Sequence, residues 1–247
     1  MIFDMIKQVS CYNDDEMFKA YITYYAQIAR GMKTQVIPYR KCSVQGFGKS
    51  KETDFIFKYV FGSKVCLLCS NAEPLLTSFN KIFMGKILVI FEELPTFTDT
   101  QWSAVSSKLK TLCTEEYTTY RDVFEKGIQA ENISNFMINT NVESIKDSDG
   151  RRYIILDLNT ERKDDYEYFE KIIENCYNDE VGEAFFSYLK TKITDEECRK
   201  FYGQRDFPET INKRIAIANK LNSVYKFIKF DYVLKCVGIP KITRLEL

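Results

Sequence analysis

Ser43-Val44-Gln45-Gly46-Phe47-Gly48-Lys49-Ser50 stands between a strand pattern and a helix pattern. Before it, Thr34 to Cys42 carries Val36, Ile37 and Tyr39 and reads as a strand; after it, Lys49 to Phe61 places Phe55, Ile56, Tyr59 and Val60 on one side of a helix that Gly62 ends. A strand, a glycine-rich turn, Lys-Ser and a helix make the setting that a Walker A loop requires. The glycines let backbone N–H groups turn inward around a phosphate, and the helix N-terminus adds unpaired amides and partial positive charge. Gln45, Gly46, Phe47 and Gly48 form the cradle, Lys49 reaches the β- and γ-phosphates, and the Ser50 hydroxyl ligates magnesium. Ser43 stands where the GxxxxGK[ST] pattern has its first glycine, a departure that bears on nucleotide affinity more than on geometry. The alternative is a flexible Gly-Lys turn with no ligand.

Outward from this loop, Lys64 to Cys69, Lys86 to Phe91 and Asn135 to Asn139 are continuous apolar runs, as in parallel strands covered on both faces. Tyr153 to Leu158 is a further strand and Asp99 to Leu112 a helix. Upstream, Glu16 to Ala29 places Met17, Tyr21, Tyr24, Tyr25 and Ile28 at helical spacing, with cap residues at Asn13 to Asp15 and a stop at Gly31. Downstream, Tyr166–Cys176, Val181–Thr191 and Glu209–Ile228 read as helices. The expected fold is α/β, a P-loop NTPase core over 34–160 with a largely parallel sheet. It has a short N-terminal helical segment over 1–33 and a C-terminal helical region over 161–247.

The run Lys86-Ile87-Leu88-Val89-Ile90-Phe91 ends in Glu92-Glu93. Parallel strands direct their C-terminal ends at the ligand crevice, so two acids there suit a Walker B role. Glu92 supports magnesium through water and Glu93 polarises the attacking water. A solvated strand end is the alternative, and the position downstream of a phosphate loop favours the first reading.

The 247 residues include no histidine, so Ser-His-Asp and Cys-His nucleophile systems are excluded and acid–base work falls to Asp, Glu, Lys or Tyr, or to a bound metal and water. Lys plus Arg number 35 and Asp plus Glu 35, so no strong global attraction to nucleic acid or membrane is expected. Nineteen Phe, 16 Tyr and five Pro argue for a packed core. No apolar run is long enough to span a membrane, and the start has no signal-peptide pattern. The eight cysteines are expected to be reduced; Cys66 and Cys69 have CxxC spacing but lie in an apolar run, which favours strand packing over redox or metal chemistry.

Taken in order, Gly46-Phe47-Gly48-Lys49-Ser50 with Thr53-Asp54-Phe55, then Leu88-Val89-Ile90-Phe91-Glu92-Glu93-Leu94, Asn135 to Asn141 and Asp147 to Tyr153 resemble a superfamily III helicase of the viral, phage or plasmid primase–helicase type, an AAA+-like ATPase. The resemblance runs from about Asn13 to Asp231. It implies ATP and magnesium as cofactors, a hexameric ring and 3′-to-5′ movement on single-stranded DNA. Asn141 matches the sensor position that orients the lytic water or holds the γ-phosphate. Arg151-Arg152 matches the arginine finger offered to a neighbouring subunit, with either residue in that role. Tyr117 to Asn132, turning at Glu125-Lys126-Gly127, resembles the hairpin that enters the channel, with Lys126 at its tip on the DNA backbone; a plain exposed turn is the alternative. Met1 to Gly31 is the candidate oligomerisation collar. Family members usually carry a large upstream domain, so the chain reads as a stand-alone subunit or an excised domain. A primase or polymerase partner and a cytoplasmic or host intracellular replication site are implied. Two rival readings are a degenerate ring protein that binds nucleotide or DNA with weak ATPase activity, and a P-loop ATPase that acts on protein or packages DNA.

Overall fold

The computed structural model describes residues 1–145, 152–219 and 223–227. Helix α1 (Ile2–Ser10) buries Ile2, Met5, Ile6 and Val9, an i, i+3, i+4, i+7 stripe. Helix α2 (Asp15–Ala29) starts where the Asp14 carboxylate accepts the Met17 N–H at 2.7 Å. Strand β1 (Ile37–Lys41) leads into the glycine loop and helix α3 (Lys49–Phe55), which runs on into a π-helical turn, Ile56–Val60. Then come β2 (Cys66–Cys69), a short α4 (Glu73–Leu76), a 3₁₀ turn (Lys81–Phe83), β3 (Leu88–Glu92) and α5 (Asp99–Thr114), the last opened by a Thr98–Gln101 capping box. Strands β4 (Tyr117–Tyr120) and β5 (Ile128–Glu131) form an antiparallel hairpin, followed by β6 (Asn135–Thr140) and β7 (Tyr153–Ile155). Helices α6 (Tyr166–Cys176), α7 (Asp179–Thr191), α8 (Asp195–Lys200), α9 (Ile211–Asn219) and α10 (Ser223–Lys226) complete the described chain.

The main sheet has the order β2-β3-β6-β1-β7 with every pairing parallel. Along each strand alternate residues enter two cores. Leu88, Ile90, Met137 and Val36 join Met5, Tyr21, Phe55, Phe169 and Phe185 on one side. Val89, Phe91, Phe136, Ile138 and Tyr39 join Trp102, Val105 and Leu109 on the other. Both faces are therefore dry, which is why the strands read as unbroken apolar runs. The fold is α/β with a parallel five-stranded sheet between helical layers, as the sequence predicts. Strand β1 lies inside the sheet between β6 and β7, so its C-terminal end opens into the crevice above the sheet rather than at an edge.

Several expected bounds differ for local reasons. The strands are shorter than their apolar runs, because pairing ends where the neighbouring strand departs: β1 pairs only over Ile37–Lys41. The helix expected over Lys49–Phe61 widens to a π turn from Ile56, and a Cβ on Gly182 of α7 would stand 2.1 Å from the Tyr59 carbonyl oxygen there. The helix expected over Glu209–Ile228 starts at Ile211, because the Asp157 carboxylate accepts the Ile211 and Asn212 N–H groups at 2.7 and 2.8 Å. Ser223–Lys226 is helical as well, and 220–222 and Ile228 lie outside the described residues. Cys66 and Cys69 are buried on β2, and burial pushes their thiols up to about 12 and about 11, which suits packing rather than thiolate chemistry. Among the described residues no helix is long and apolar enough to cross a membrane.

Candidate functional site

The loop between β1 and α3 takes its shape from two glycines. Gly46 has φ +81° and Gly48, the N-cap of α3, has φ +91°. A Cβ at Gly46 would lie 2.8 Å from Asp164 Oδ1, and one at Gly48 would lie 2.3 Å from the Phe169 ring. Gly46 also accepts the Asp164 N–H at 3.0 Å. Backbone conformation thus favours glycine at both positions, and close approach of the buried Phe169 ring adds to it at Gly48. Phe47 points its ring into the core at 1% exposure, so only its backbone can serve a ligand, whereas Gln45, Gly46 and Ser50 are exposed.

Four predicted side chains meet at this loop. A cleft of about 590 Å³ is bounded by Gln45 to Ser50, Glu92, Glu93 and Asn141, a size usual for small-molecule sites. Lys49 Nζ donates to Asn141 Oδ1 at 2.7 Å and to the Thr140 carbonyl at 3.0 Å, which uses two of its three N–H groups. Glu92 Oε1 accepts from Asn139 Nδ2 at 2.8 Å and from Thr53 Oγ1 at 3.2 Å, so Oε2 is the oxygen left for a ligand. Glu93 is exposed, and its N–H donates to the Asn139 carbonyl at 2.9 Å. Its φ is +56°, a conformation that a residue with a Cβ adopts at a cost and that clusters at functional sites.

Burial pushes the Lys49 ammonium below its usual range, the nearby Arg40 guanidinium adds to this, and Glu92 and Glu93 oppose it. An anion in the cleft would relieve that lysine. Ser50 and Glu92 border the same cleft and bring a hydroxyl and a carboxylate, oxygen donors of the kind a divalent cation takes.

The far wall of the cleft is α6, which sequence reasoning assigned no chemistry. Tyr166, Phe169, Glu170 and Ile173 fall at i, i+3, i+4 and i+7 on one helix face and line the cleft. Phe169 is 7% exposed beneath Gly48, whereas Tyr166 is 72% exposed. The residues Asn139 and Thr53, which hold Glu92, were also not singled out. Asn139 pairs directly with Glu92 across β6 and β3, a register that only the fold reveals.

Other predicted residues lie elsewhere. Arg152 precedes β7, and its carbonyl accepts the Ile37 N–H at 2.7 Å, at the end of β1 opposite the glycine loop. At about 3.3 Å per strand residue it is roughly 15 Å from the loop of its own chain. Arg151, with Asp147 to Gly150, lies outside the described residues. Lys126 is exposed on the β4–β5 hairpin, but the bend is centred on Val123 and Phe124 rather than on Lys126. Phe124 has φ +62° and its ring is fully in solvent at 106% exposure. The loop end of the hairpin is pinned by N–H groups of Asn80 and Lys81 on the Arg121 carbonyl at 3.1 and 3.0 Å and by a Lys81–Glu125 ion pair.

A family of unknown function (DUF5906) matches residues 41–152, the span that holds the glycine loop, both carboxylates and Asn141. No curated protein sequence matches the chain. Among solved structures, the apo C-terminal region (305–718) of NrS-1 is similar with TM-score 0.72 at 19% identity, covering 90% of this chain and 52% of that one. An A-form apo structure of the NrS-1 C-terminal region gives TM-score 0.70 at 21% identity, covering 90% and 51%. A further A-form structure of residues 305–718 gives 0.67 at 19%, covering 92% and 52%. This chain therefore spans about half the length of the solved structures it matches, and what it shares with them is the fold.

Proposed function

We propose that the cleft binds and hydrolyses magnesium ATP, and that the chain is a subunit of a ring-forming superfamily III helicase that moves on single-stranded DNA during replication of a virus, phage or plasmid. The observation that carries this reading is the convergence of Lys49, Glu92, Glu93 and Asn141 on one cleft behind a two-glycine cradle. These residue types fit the nucleotide: the loop amides and Lys49 hold phosphate oxygens, while Ser50 and Glu92 hold the magnesium ion. Magnesium supplies neutralisation of charge on the phosphate oxygens. Glu93 polarises the attacking water, the carboxylate expected as base in a chain without histidine. Asn141, bonded to Lys49, fixes the ammonium and borders the water position.

Arg152 lies far from its own cleft, so its part in catalysis requires a neighbouring copy; Arg151 is the other candidate for the same role. A ring would also gather several copies of Lys126 around one DNA strand, which gives a salt-dependent grip despite a net charge of zero. A primase or polymerase is the replication partner this reading calls for.

The test is steady-state ATP hydrolysis with and without single-stranded DNA, paired with displacement of an annealed strand, for wild type and Glu93→Gln. DNA-stimulated hydrolysis that Glu93→Gln removes is the expected result. Hydrolysis without strand displacement points to a packaging or protein-directed ATPase. An assembled ring with no DNA-stimulated hydrolysis refutes the helicase reading and leaves the assembly-module alternative.

A further inference from the structure

Arg40, Asn139 and Glu92 stand in one row across β1, β6 and β3, since Asn139 pairs in register with both of the others. Asn139 Oδ1 accepts from Arg40 Nη1 at 3.3 Å, and its Nδ2 donates to Glu92 Oε1 at 2.8 Å. This fixes the amide in one orientation, because the flipped form would face its NH₂ to a guanidinium and its oxygen to a carboxylate. Arg40 is 0% exposed. Its Nη2 donates to Ser10 Oγ at 2.9 Å, the Lys49 carbonyl at 3.1 Å and Glu52 Oε2 at 3.1 Å. Glu52, at 1% exposure, also accepts the Tyr21 and Tyr25 hydroxyls at 2.7 Å each, and a hydroxyl bond from Ser10. The row thus begins on α1 and α2 and ends in the cleft.

A buried ion pair is a poor device for stability, since desolvation offsets most of its attraction and an apolar pair of similar volume packs as well. An apolar pair, however, could not orient the Asn139 amide or grip the Lys49 carbonyl. Burial by itself pushes the Arg40 guanidinium's pKa down, but Glu52, with Tyr21, Tyr25 and Glu92 behind it, more than offsets this, so the group stays charged.

We propose that Arg40 is a positioning residue for the cleft: through Asn139 it fixes the Glu92 carboxylate, and through the Lys49 carbonyl it fixes the first turn of α3. Through Glu52 it anchors both to the N-terminal helix pair. The inference rests on the magnesium–nucleotide reading of the cleft. Its sensitive quantity is the response to magnesium, because outer partners of metal-holding carboxylates set affinity by roughly 10–100-fold.

Two variants are compared with wild type. Arg40→Met/Glu52→Leu removes both charges together, and Asn139→Ala cuts the row while leaving the ion pair in place, so the second reads the relay even where the first does not fold. Each is expected to raise the magnesium concentration for half-maximal hydrolysis by about tenfold or more. Binding of magnesium-free ATP should stay within about twofold of wild type for Asn139→Ala, which leaves the Arg40 bond to the Lys49 carbonyl in place. The triple variant should shift no further than either, as members of one relay do not add. A folded variant with wild-type magnesium response overturns the proposal. So does equal loss with and without magnesium in Asn139→Ala, or additive shifts in the triple variant, since each marks a scaffold role only. Wild type that neither binds nor hydrolyses magnesium ATP is a different result: it removes the nucleotide reading, and this inference with it.

Discussion

Replacing Gly48 with alanine places two separable penalties on one atom. At φ +91° a residue with a Cβ sits in the left-handed region, at a cost of roughly 1–2 kcal/mol. That Cβ would also lie 2.3 and 2.4 Å from two carbons of the Phe169 ring, which is 7% exposed and backed by core. Displacing it is overpacking, worth about 1–3 kcal/mol. The expected loss is therefore about 2–5 kcal/mol, a large share of the roughly 5–15 kcal/mol that holds a domain together. Urea unfolding followed by the single tryptophan, Trp102, measures it. Gly31→Ala isolates the first penalty, because Gly31 has φ +72° with nothing within 4 Å of its Cβ position. Phe169→Ala in the Gly48→Ala background should cost less than in wild type by the steric share, a coupling of about 1–3 kcal/mol. If Gly48→Ala loses no more than Gly31→Ala, Phe169 does not press on the loop, and the account of α6 as the cleft wall fails.

Gly182→Ala should destabilise by about 1–3 kcal/mol or more without any backbone-conformation penalty, since the obstacle is the Tyr59 carbonyl rather than a side chain that can swing away; an unchanged urea midpoint refutes the close approach. Lys49 gives opposite pH trends for stability and binding. Its folded pKa is lowered, so between that value and the ordinary lysine value the unfolded chain holds more protons, and stability of the free protein rises with pH. Over the same range the ammonium discharges, so magnesium-ATP affinity falls; calorimetric titration checks this, and Lys49→Arg should flatten the fall. A flat wild-type profile refutes it. On the hairpin, Lys126→Ala should reduce the salt slope of single-stranded DNA binding by about 0.7 per charge removed, and Phe124→Ala should weaken binding by about 1–3 kcal/mol if its ring stacks on bases. Fluorescence anisotropy across salt concentrations reads both, and unchanged isotherms place the DNA elsewhere.

What the sequence made legible were features with local causes. Gly46 and Gly48 announce positive φ, and the apolar run into Glu92-Glu93 announces a buried strand with an acidic end. What it hid depends on contacts distant along the chain. Tyr166 and Phe169 have the pattern of any amphipathic helix; only the fold sets them against Gly48. Asn139 and Asn141 look interchangeable in sequence, yet alternation on β6 sends Asn139 to Glu92, while Asn141, past the strand end, meets Lys49. A one-residue shift of register would exchange the two faces of β6. The position of the hairpin bend, at Phe124 rather than Lys126, follows from the pairing of Tyr120 with Ile128, which spacing alone did not set.

Glu93 shows what such a site means for breeding a sturdier protein. Its left-handed backbone charges any residue with a Cβ roughly 1–2 kcal/mol that glycine escapes. A laboratory lineage selected only for survival of heat should therefore collect Glu93→Gly early. On the reading proposed here, its descendants would melt later and hydrolyse no ATP, so thermal tolerance and turnover should part company at this one codon.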